Sequence, residues 1–124
     1  MYLLHGKNIT CGYDTVDILS KFTVGVKKGE IASIVGPNGA GKSTAMKSIF
    51  GLLKIRLGKI FLDNEDITNL LPQERVLKGM GYVPQTNNIF PTLSVQENLE
   101  MGAFIQHEDF SDILDYVYNL FPIL

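Results

Sequence analysis

The sequence predicts an α/β fold on the basis of three observations. The short apolar run IASIV, residues 31–35, is typical of a buried parallel strand. A glycine-rich loop follows this run directly. Beyond the loop, apolar side chains recur at helical spacing at Met46, Ile49, Phe50 and Leu53. We therefore expect a strand, a loop and an amphipathic helix at the centre of an α/β domain.

The other strands are predicted from alternating and apolar runs. Residues 3–10 and 22–26 are expected to be strands, and FTVGV alternates with period two. The stretch CGYDTVD between them is expected to be a turn or a short loop. Residues 59–62 form a further predicted strand, and MGYVPQ is predicted to be a short strand that ends before Pro84.

Three further helices are predicted from local signals. Residues 73–78 follow a proline, and this position is compatible with a helix start. Ser94 and Glu97 have the spacing of a capping box, so a helix should begin directly after Ser94. Residues 112–120 are predicted to be helical, with Ser111 as the N-cap.

Bulk composition excludes several classes of protein. Hydrophobic residues make up 45% of the 124 residues and charged residues 19%, which is ordinary for a globular domain. The net charge of −2 gives no basic surplus, so no nucleic-acid partner is expected. Cys11 is the single cysteine and is expected to be a small packing residue. No signal peptide and no run of the ~18 apolar residues of a membrane span is found, so a cytoplasmic chain is expected.

The stretch GPNGAGKST carries the chemistry. It matches the phosphate-binding pattern G-x-x-x-x-G-K-[S/T], between a predicted strand and a predicted helix. Its glycines let backbone N–H groups approach an anion, and the helix adds its positive end. Lys42 supplies a charge for the β- and γ-phosphates, and the Ser43 hydroxyl suits Mg²⁺. The predicted nucleotide-binding residues of this loop are Gly36, Asn38, Gly39, Ala40, Gly41, Lys42, Ser43 and Thr44.

Three stretches together resemble the ATP-binding subunit of an ABC transporter: GPNGAGKST, GYVPQ and IFPTLSVQENLEMGA. The similarity is greatest to subunits of branched-chain amino-acid importers, and it covers essentially the whole chain. It implies an incomplete P-loop NTPase (ABC ATPase) core of the α/β class with an N-terminal antiparallel β-subdomain. It also implies ATP and Mg²⁺ as cofactors. Residues 1–124 would then be the N-terminal part of a single ATP-binding domain, with the β-subdomain, the phosphate-binding loop, the loop of Gln85 and the start of the helical subdomain.

The resemblance implies roles for two further residues. Tyr13 lies where the family has an aromatic residue that stacks on adenine, although Asp14 stands where glycine often follows. Gln85 resembles the glutamine that reaches Mg²⁺ and the attacking water. Lys42 and Gln85 are thus the expected catalytic residues, and Ser43 and Gln85 the expected metal ligands.

Partners are also implied by the resemblance. Residues 87–97, with the apolar Ile89 and Phe90, are expected to face membrane permease subunits. A second ATP-binding subunit is a further expected partner, and the location is the inner face of the plasma membrane. Because the predicted central strand would lack neighbours, the isolated chain is also expected to self-associate as a dimer.

Motifs that the family carries further along its chain are absent from this sequence. These are the LSGGQ-like motif, the Walker B strand with its metal-binding Asp and catalytic Glu, and the switch histidine. We expect this chain to be the N-terminal half of a cassette and to be inactive in hydrolysis alone. Three functions stay open: a piece of an importer ATPase, a nucleotide-binding module without catalysis, or a P-loop protein outside transport.

Two other sets of residues are expected to have no catalytic role. KIFLDNE resembles the Walker B motif faintly, but its apolar run has only three residues. We expect Asp63, Asn64 and Glu65 to form a hairpin turn. His5 and His107 have no catalytic neighbours in sequence and are expected to be ordinary surface residues.

Overall fold

The computed structural model describes residues 1–105 and 108–124. His107 therefore lies outside the described residues. The chain divides into two compact units, Met1–Gly81 and Tyr82–Leu124. Each unit is described by itself below.

An antiparallel sheet forms the framework of the first unit. Its strands are β1 (Leu4–Tyr13), β2 (Val16–Val26), β3 (Leu57–Leu62) and β4 (Glu65–Asp66), in the order β2-β1-β3-β4. β1 and β2 are longer than predicted, because the stretch CGYDTVD is mostly strand and the turn is confined to two residues. Pairing with a neighbour extends a strand through residues that look like loop in isolation.

The turn between β3 and β4 confirms the predicted hairpin. Asp63 and Asn64 both have left-handed backbone angles, with φ of 47° and 66°. Leu62 pairs with Glu65 across the turn, so two residues close the loop. Asn and Asp tolerate these angles better than most residues, and two-residue hairpins of this kind require them.

Helix α1 (Lys42–Phe50) packs on the sheet and completes a small core. Ile49 is buried in the core as the helical spacing predicts, and Ala45, which was not among the predicted apolar residues, is buried beside it. The prediction that Met46 belongs to the buried apolar stripe is wrong, because Met46 is 47% exposed. Cys11 is buried, and burial raises the pKa of its thiol. The buried apolar residues are Ile9, Cys11, Leu19, Ala45, Ile49, Ile60 and Ile67.

The prediction of a strand at residues 31–35 is wrong for this chain. The segment has no strand pairing, and Ile31 and Val35 are 94% and 87% exposed. The predicted strand in MGYVPQ is also not formed, and Val83 is 85% exposed. A parallel strand is held by hydrogen bonds from both neighbours and by helices on both faces, and the described residues place no strand beside either segment.

Three more helices follow in the chain. α2 (Pro72–Leu77) belongs to the first unit and begins one residue earlier than predicted. α3 (Val95–Met101) begins after Ser94 as predicted, and α4 (Ser111–Leu120) includes the predicted span. The prediction of Ser111 as N-cap is wrong, because Phe110 holds that position and the Ser111 N–H donates to Asp109 Oδ1 at 2.9 Å. Within the residues described, no helix has the length and apolar character needed to cross a membrane.

Candidate functional site

The glycine-rich loop leads directly into α1 and rests on β2. Gly39 and Gly41 have φ of 85° and 95°, which side-chain-bearing residues rarely adopt. A Cβ added to Gly41 would lie 2.8 Å from Leu19 Cδ2. Glycine at this position therefore lets the backbone turn into the helix while it lies against the β2 side chains.

Several N–H groups at the start of α1 are left without a partner. In the described part of the chain, those of Lys42, Ser43 and Thr44 donate to no other group. The first helical bond is from the Ala45 N–H to the Gly41 carbonyl, at 2.8 Å. The start of α1 thus carries free donors and the positive end of the helix dipole, which together favour an anion.

Lys42 lies over the loop that precedes it. Its Nζ donates to the carbonyl oxygens of Gly36 and Pro37 at 2.7 and 2.8 Å. The Ala40 N–H is also bonded within the loop, to the Pro37 carbonyl at 3.2 Å. The ammonium group is therefore held on the loop by two neutral acceptors and has no carboxylate partner among the described residues.

The other predicted loop residues differ in exposure. Ser43 and Asn38 are exposed, whereas Thr44 is buried against the sheet. No group of three or more His, Cys, Asp or Glu side chains that could hold a metal occurs among residues 1–105 and 108–124. The exposed Ser43 hydroxyl is a hard oxygen donor of the kind that Mg²⁺ binds.

Tyr13 and Gln85 lie in different units. Tyr13 ends β1, pairs with Val16 and is 46% exposed. Gln85 belongs to the second unit, where it is exposed and lies outside any strand or helix. The loop and Tyr13 are therefore brought into one compact unit, and Gln85 belongs to the other.

Sequence reasoning did not identify Asn98, which organises the loop before α3. Its side-chain oxygen accepts from the Phe90 N–H at 2.7 Å. Its amide nitrogen donates to the carbonyls of Phe90, Leu93 and Ser94 at 3.1, 3.2 and 2.9 Å. The available signal was an asparagine inside a predicted helix, where its propensity is low and a side-chain role is common. Ile89 and Phe90 are held exposed by this arrangement, at 70% and 51%.

The known proteins that this chain matches are ATP-binding proteins of ABC transporters. Residues 19–121 match the ABC transporter family. The chain is 41% identical over 98% of its length to a probable branched-chain amino acid transport ATP-binding protein, LivF, of Archaeoglobus fulgidus, and covers 52% of that protein. It is 39% identical over 80% of its length to the lipopolysaccharide export system ATP-binding protein LptB of Haemophilus influenzae, and covers 41% of it.

Solved structures with a similar fold belong to the same family. A dimeric structure of a bacterial ABC transporter cassette superposes with a TM-score of 0.73 at 30% identity, over 86% of this chain and 49% of that one. The chain thus spans about half the length of the relatives it matches. Sequence and fold agree with the resemblance inferred from the motifs: the chain belongs to the ABC transporter family and is part of its ATP-binding domain.

Proposed function

We propose that this chain binds Mg-ATP at residues 36–44 and acts as the nucleotide-binding part of an ABC transporter subunit. The observation that carries the proposal is the set of free N–H groups at Lys42, Ser43 and Thr44, beside an ammonium held only by neutral carbonyls. A phosphate placed at this helix start would accept from all three N–H groups. It would also offer Lys42 charged oxygens in place of two carbonyls, which is a stronger interaction.

The Ser43 role follows from its chemistry, and those of Tyr13 and Gln85 from the family resemblance. Ser43 would bind Mg²⁺ through its hydroxyl, and ATP would supply most of the other oxygen ligands. Tyr13 would stack on the adenine, because an exposed aromatic ring offers a face to any purine. Gln85 would offer its amide oxygen to Mg²⁺ and to the attacking water, as the family resemblance implies. Among these residues, only Lys42 has side-chain hydrogen bonds within the loop itself.

We expect nucleotide binding without hydrolysis by this chain alone. Hydrolysis requires a group that orients the attacking water and groups that stabilise charge opposite the loop. The sequence has no apolar strand ending in the Asp-Glu pair that would do this, because Asp63 and Asn64 form the hairpin turn. By itself, this chain is therefore proposed to be a nucleotide-binding module without catalysis.

Calorimetric titration with Mg-ATP, paired with a phosphate-release assay, tests this proposal. We expect the parent chain to bind and Lys42→Ala to lose at least about tenfold in affinity, since a charged hydrogen-bond donor to phosphate is removed. Lys47→Ala is the matched control, because Lys47 lies in the last turn of the same helix. It should bind like the parent.

The other outcomes of this titration would reject specific parts of the proposal. Equal binding by the parent and Lys42→Ala would reject the loop as the phosphate site. Absence of binding by the parent would reject nucleotide binding by this chain. Sustained, Lys42-dependent phosphate release would reject the binding-only assignment, because another residue would then have to orient water.

We further infer that the transported substrate is a branched-chain amino acid. The support is the greater identity and coverage of the LivF match, 41% over 98% of the chain, compared with 39% over 80% for LptB. A lipopolysaccharide export function is the alternative that the second match favours. The substrate specificity would lie in the membrane and substrate-binding partners, so a test of the transported substrate has to include those partners.

The proposed permease contact is the loop before α3, within residues 87–97. Ile89 and Phe90 expose apolar surface there, and Asn98 fixes the loop through four hydrogen bonds. A fixed apolar projection is a suitable docking feature, because little ordering entropy is lost on binding. Through this contact the chain would lie at the inner face of the plasma membrane, with a second ATP-binding subunit beside it.

A further inference from the structure

Arg75 is the largest fully buried side chain in the part of the chain that the structure describes. It lies in α2 and is 2% exposed. Its Nε donates to the Leu70 carbonyl at 3.0 Å and its Nη2 to the Thr68 carbonyl at 3.0 Å. Its Nη1 donates to the carbonyls of Ile49 and Ser48 at 2.6 and 3.4 Å. All four acceptors are neutral backbone groups.

No carboxylate pairs with this buried cation among residues 1–105 and 108–124. Burial lowers the pKa of the Arg75 guanidinium, yet an arginine keeps its proton in proteins because its ordinary pKa is far above neutrality. The side chain therefore places an unneutralised positive charge inside the first unit. A buried charge is costly unless the surrounding dipoles compensate it.

The compensating dipoles come largely from the end of α1. Ser48 and Ile49 are in its last turn, at the negative end of the helix dipole, and the Ser48 carbonyl also accepts from the Gly51 N–H at 3.1 Å. Gly51 ends the helix with φ of 87°, and a Cβ at this position would lie 2.8 Å from Arg75 Nε. The absence of a side chain at Gly51 is thus what lets the guanidinium reach the helix end.

The two ends of α1 therefore differ: the first has free N–H donors, and the last has carbonyl acceptors that Arg75 binds. Lys42 and the free N–H groups are at the start, and Arg75 is bound at the end. The helix has nine residues, so about 13 Å separates its ends. The guanidinium also holds the Thr68 and Leu70 carbonyls, and it thereby ties the phosphate-binding helix to the segment between β4 and α2.

We propose that Arg75 is a positioning residue for nucleotide binding: it fixes α1 from the end opposite the phosphates. The proposal rests on the proposed binding of Mg-ATP at residues 36–44. Arg75 touches no phosphate. It holds α1 in one place, so that the free N–H groups are already ordered when a phosphate binds. Its positive charge, at the C-terminal end of α1, also attracts the anion bound at the N-terminal end.

A purely structural Arg75 would stabilise the fold and leave the affinity of folded molecules unchanged. A positioning residue changes that affinity even when the variant is fully folded. The matched control is Ile60→Val, because Ile60 is fully buried in β3 and makes no hydrogen bond to the end of α1. This variant lowers the stability of the fold only by removing a buried methylene group from the core.

The experiment is calorimetric titration with Mg-ATP of the parent chain, Arg75→Gln, Arg75→Lys and Ile60→Val. Each is measured at a temperature where circular dichroism reports it folded. We expect Arg75→Gln to bind about tenfold more weakly and Ile60→Val to bind like the parent. Arg75→Lys should lie between them at about threefold, because an ammonium keeps the charge but cannot span four carbonyls as the planar fork does.

The titration separates failure of this inference from failure of the proposed function. Parent-like binding by folded Arg75→Gln, or an equal loss in Ile60→Val, would overturn the positioning role alone. If Arg75→Gln does not fold, the test uses Arg75→Lys instead. Weaker Mg-ATP binding by Arg75→Lys than by Ile60→Val supports the positioning role, and equal binding by the two variants overturns it. If the parent does not bind, or binds no better than Lys42→Ala, the nucleotide site itself is rejected and the inference with it.

Discussion

At the residue level, short-range hydrogen bonds lower the pKa of Asp66. The Thr68 hydroxyl donates to Asp66 Oδ1 at 2.5 Å and the Thr68 N–H donates to the same oxygen at 3.0 Å. Lys59 Nζ lies 3.0 Å from Asp66 Oδ2. In that order of importance, these donors lower the pKa of Asp66 from 3.8 to about 2.

This shift predicts an acid-dependent contribution to stability. Because the pKa of Asp66 is lower in the folded chain than in the unfolded one, its ionised form stabilises the fold. That contribution is complete above pH 3.8 and is lost as the pH falls toward 2. We expect Thr68→Val to raise the pKa toward 3.8, as followed by the carboxyl ¹³C shift of Asp66. Thr68→Ser keeps the hydroxyl and should stay near 2; a similar rise in both variants would contradict this assignment.

At the scale of elements, the predicted N-cap residue is confirmed at α3 and wrong at α4. At α3, the Glu97 N–H donates to Ser94 Oγ at 3.2 Å and the Ser94 N–H donates to Glu97 Oε2 at 2.7 Å, as the capping box predicts. At α4, Asp109 accepts from the Ser111 N–H, and this bond lowers the pKa of Asp109. A serine and an aspartate near one helix start can both accept from its free N–H groups, and the sequence alone does not show which side chain will do so.

The unpaired segment of residues 31–35 leads to a prediction about association. Ile31 and Val35 are almost fully exposed, and the backbone between them has no strand partner in the described chain. We expect two copies to cover this segment, so light scattering at micromolar concentration should give about twice the 13.8 kDa of one chain. Val35→Lys should shift the mass toward the monomer.

The matched control for this association is Ile123→Lys, because Ile123 is 95% exposed in the second unit. It should leave the dimer intact. A monomeric parent chain, or equal effects of the two substitutions, would show that residues 31–35 do not form the contact.

At the scale of the whole molecule, membership in the ABC transporter family leads to a test of substrate. The chain covers 52% of the LivF relative and 41% of the LptB relative. A chimera can therefore join residues 1–124 to the remaining part of either protein. We expect the LivF chimera, expressed with the LivF permease subunits, to support uptake of labelled leucine, because residues 87–97 would fit those subunits.

Two controls make this test specific. The same chimera with Lys42→Ala should lose uptake, since ATP would no longer bind at the loop. The LptB chimera, expressed with its own membrane partners, should fail to support lipopolysaccharide export. Function in the LptB chimera and not in the LivF chimera would overturn the amino-acid assignment.

The features of this protein that depend on residues adjacent in the chain were predictable from its sequence. The glycine pattern of residues 36–44 defined the loop and the start of α1, because left-handed angles and free N–H groups follow from residue type and order. The Asp63-Asn64 turn and the Ser94 cap were predictable for the same reason. The motifs also identified the family, which comparison with known proteins confirmed.

Features that join residues far apart in the chain depend on the folded structure. Arg75 is an ordinary charged residue in sequence, and its role depends on carbonyls of Ser48 and Ile49 that lie 27 and 26 positions away. The predicted strand at residues 31–35 fails for the converse reason: its apolar composition is right, but strand structure requires a neighbour to pair with. Local chemistry specifies turns, caps and loops, whereas burial and pairing are properties of the assembled chain.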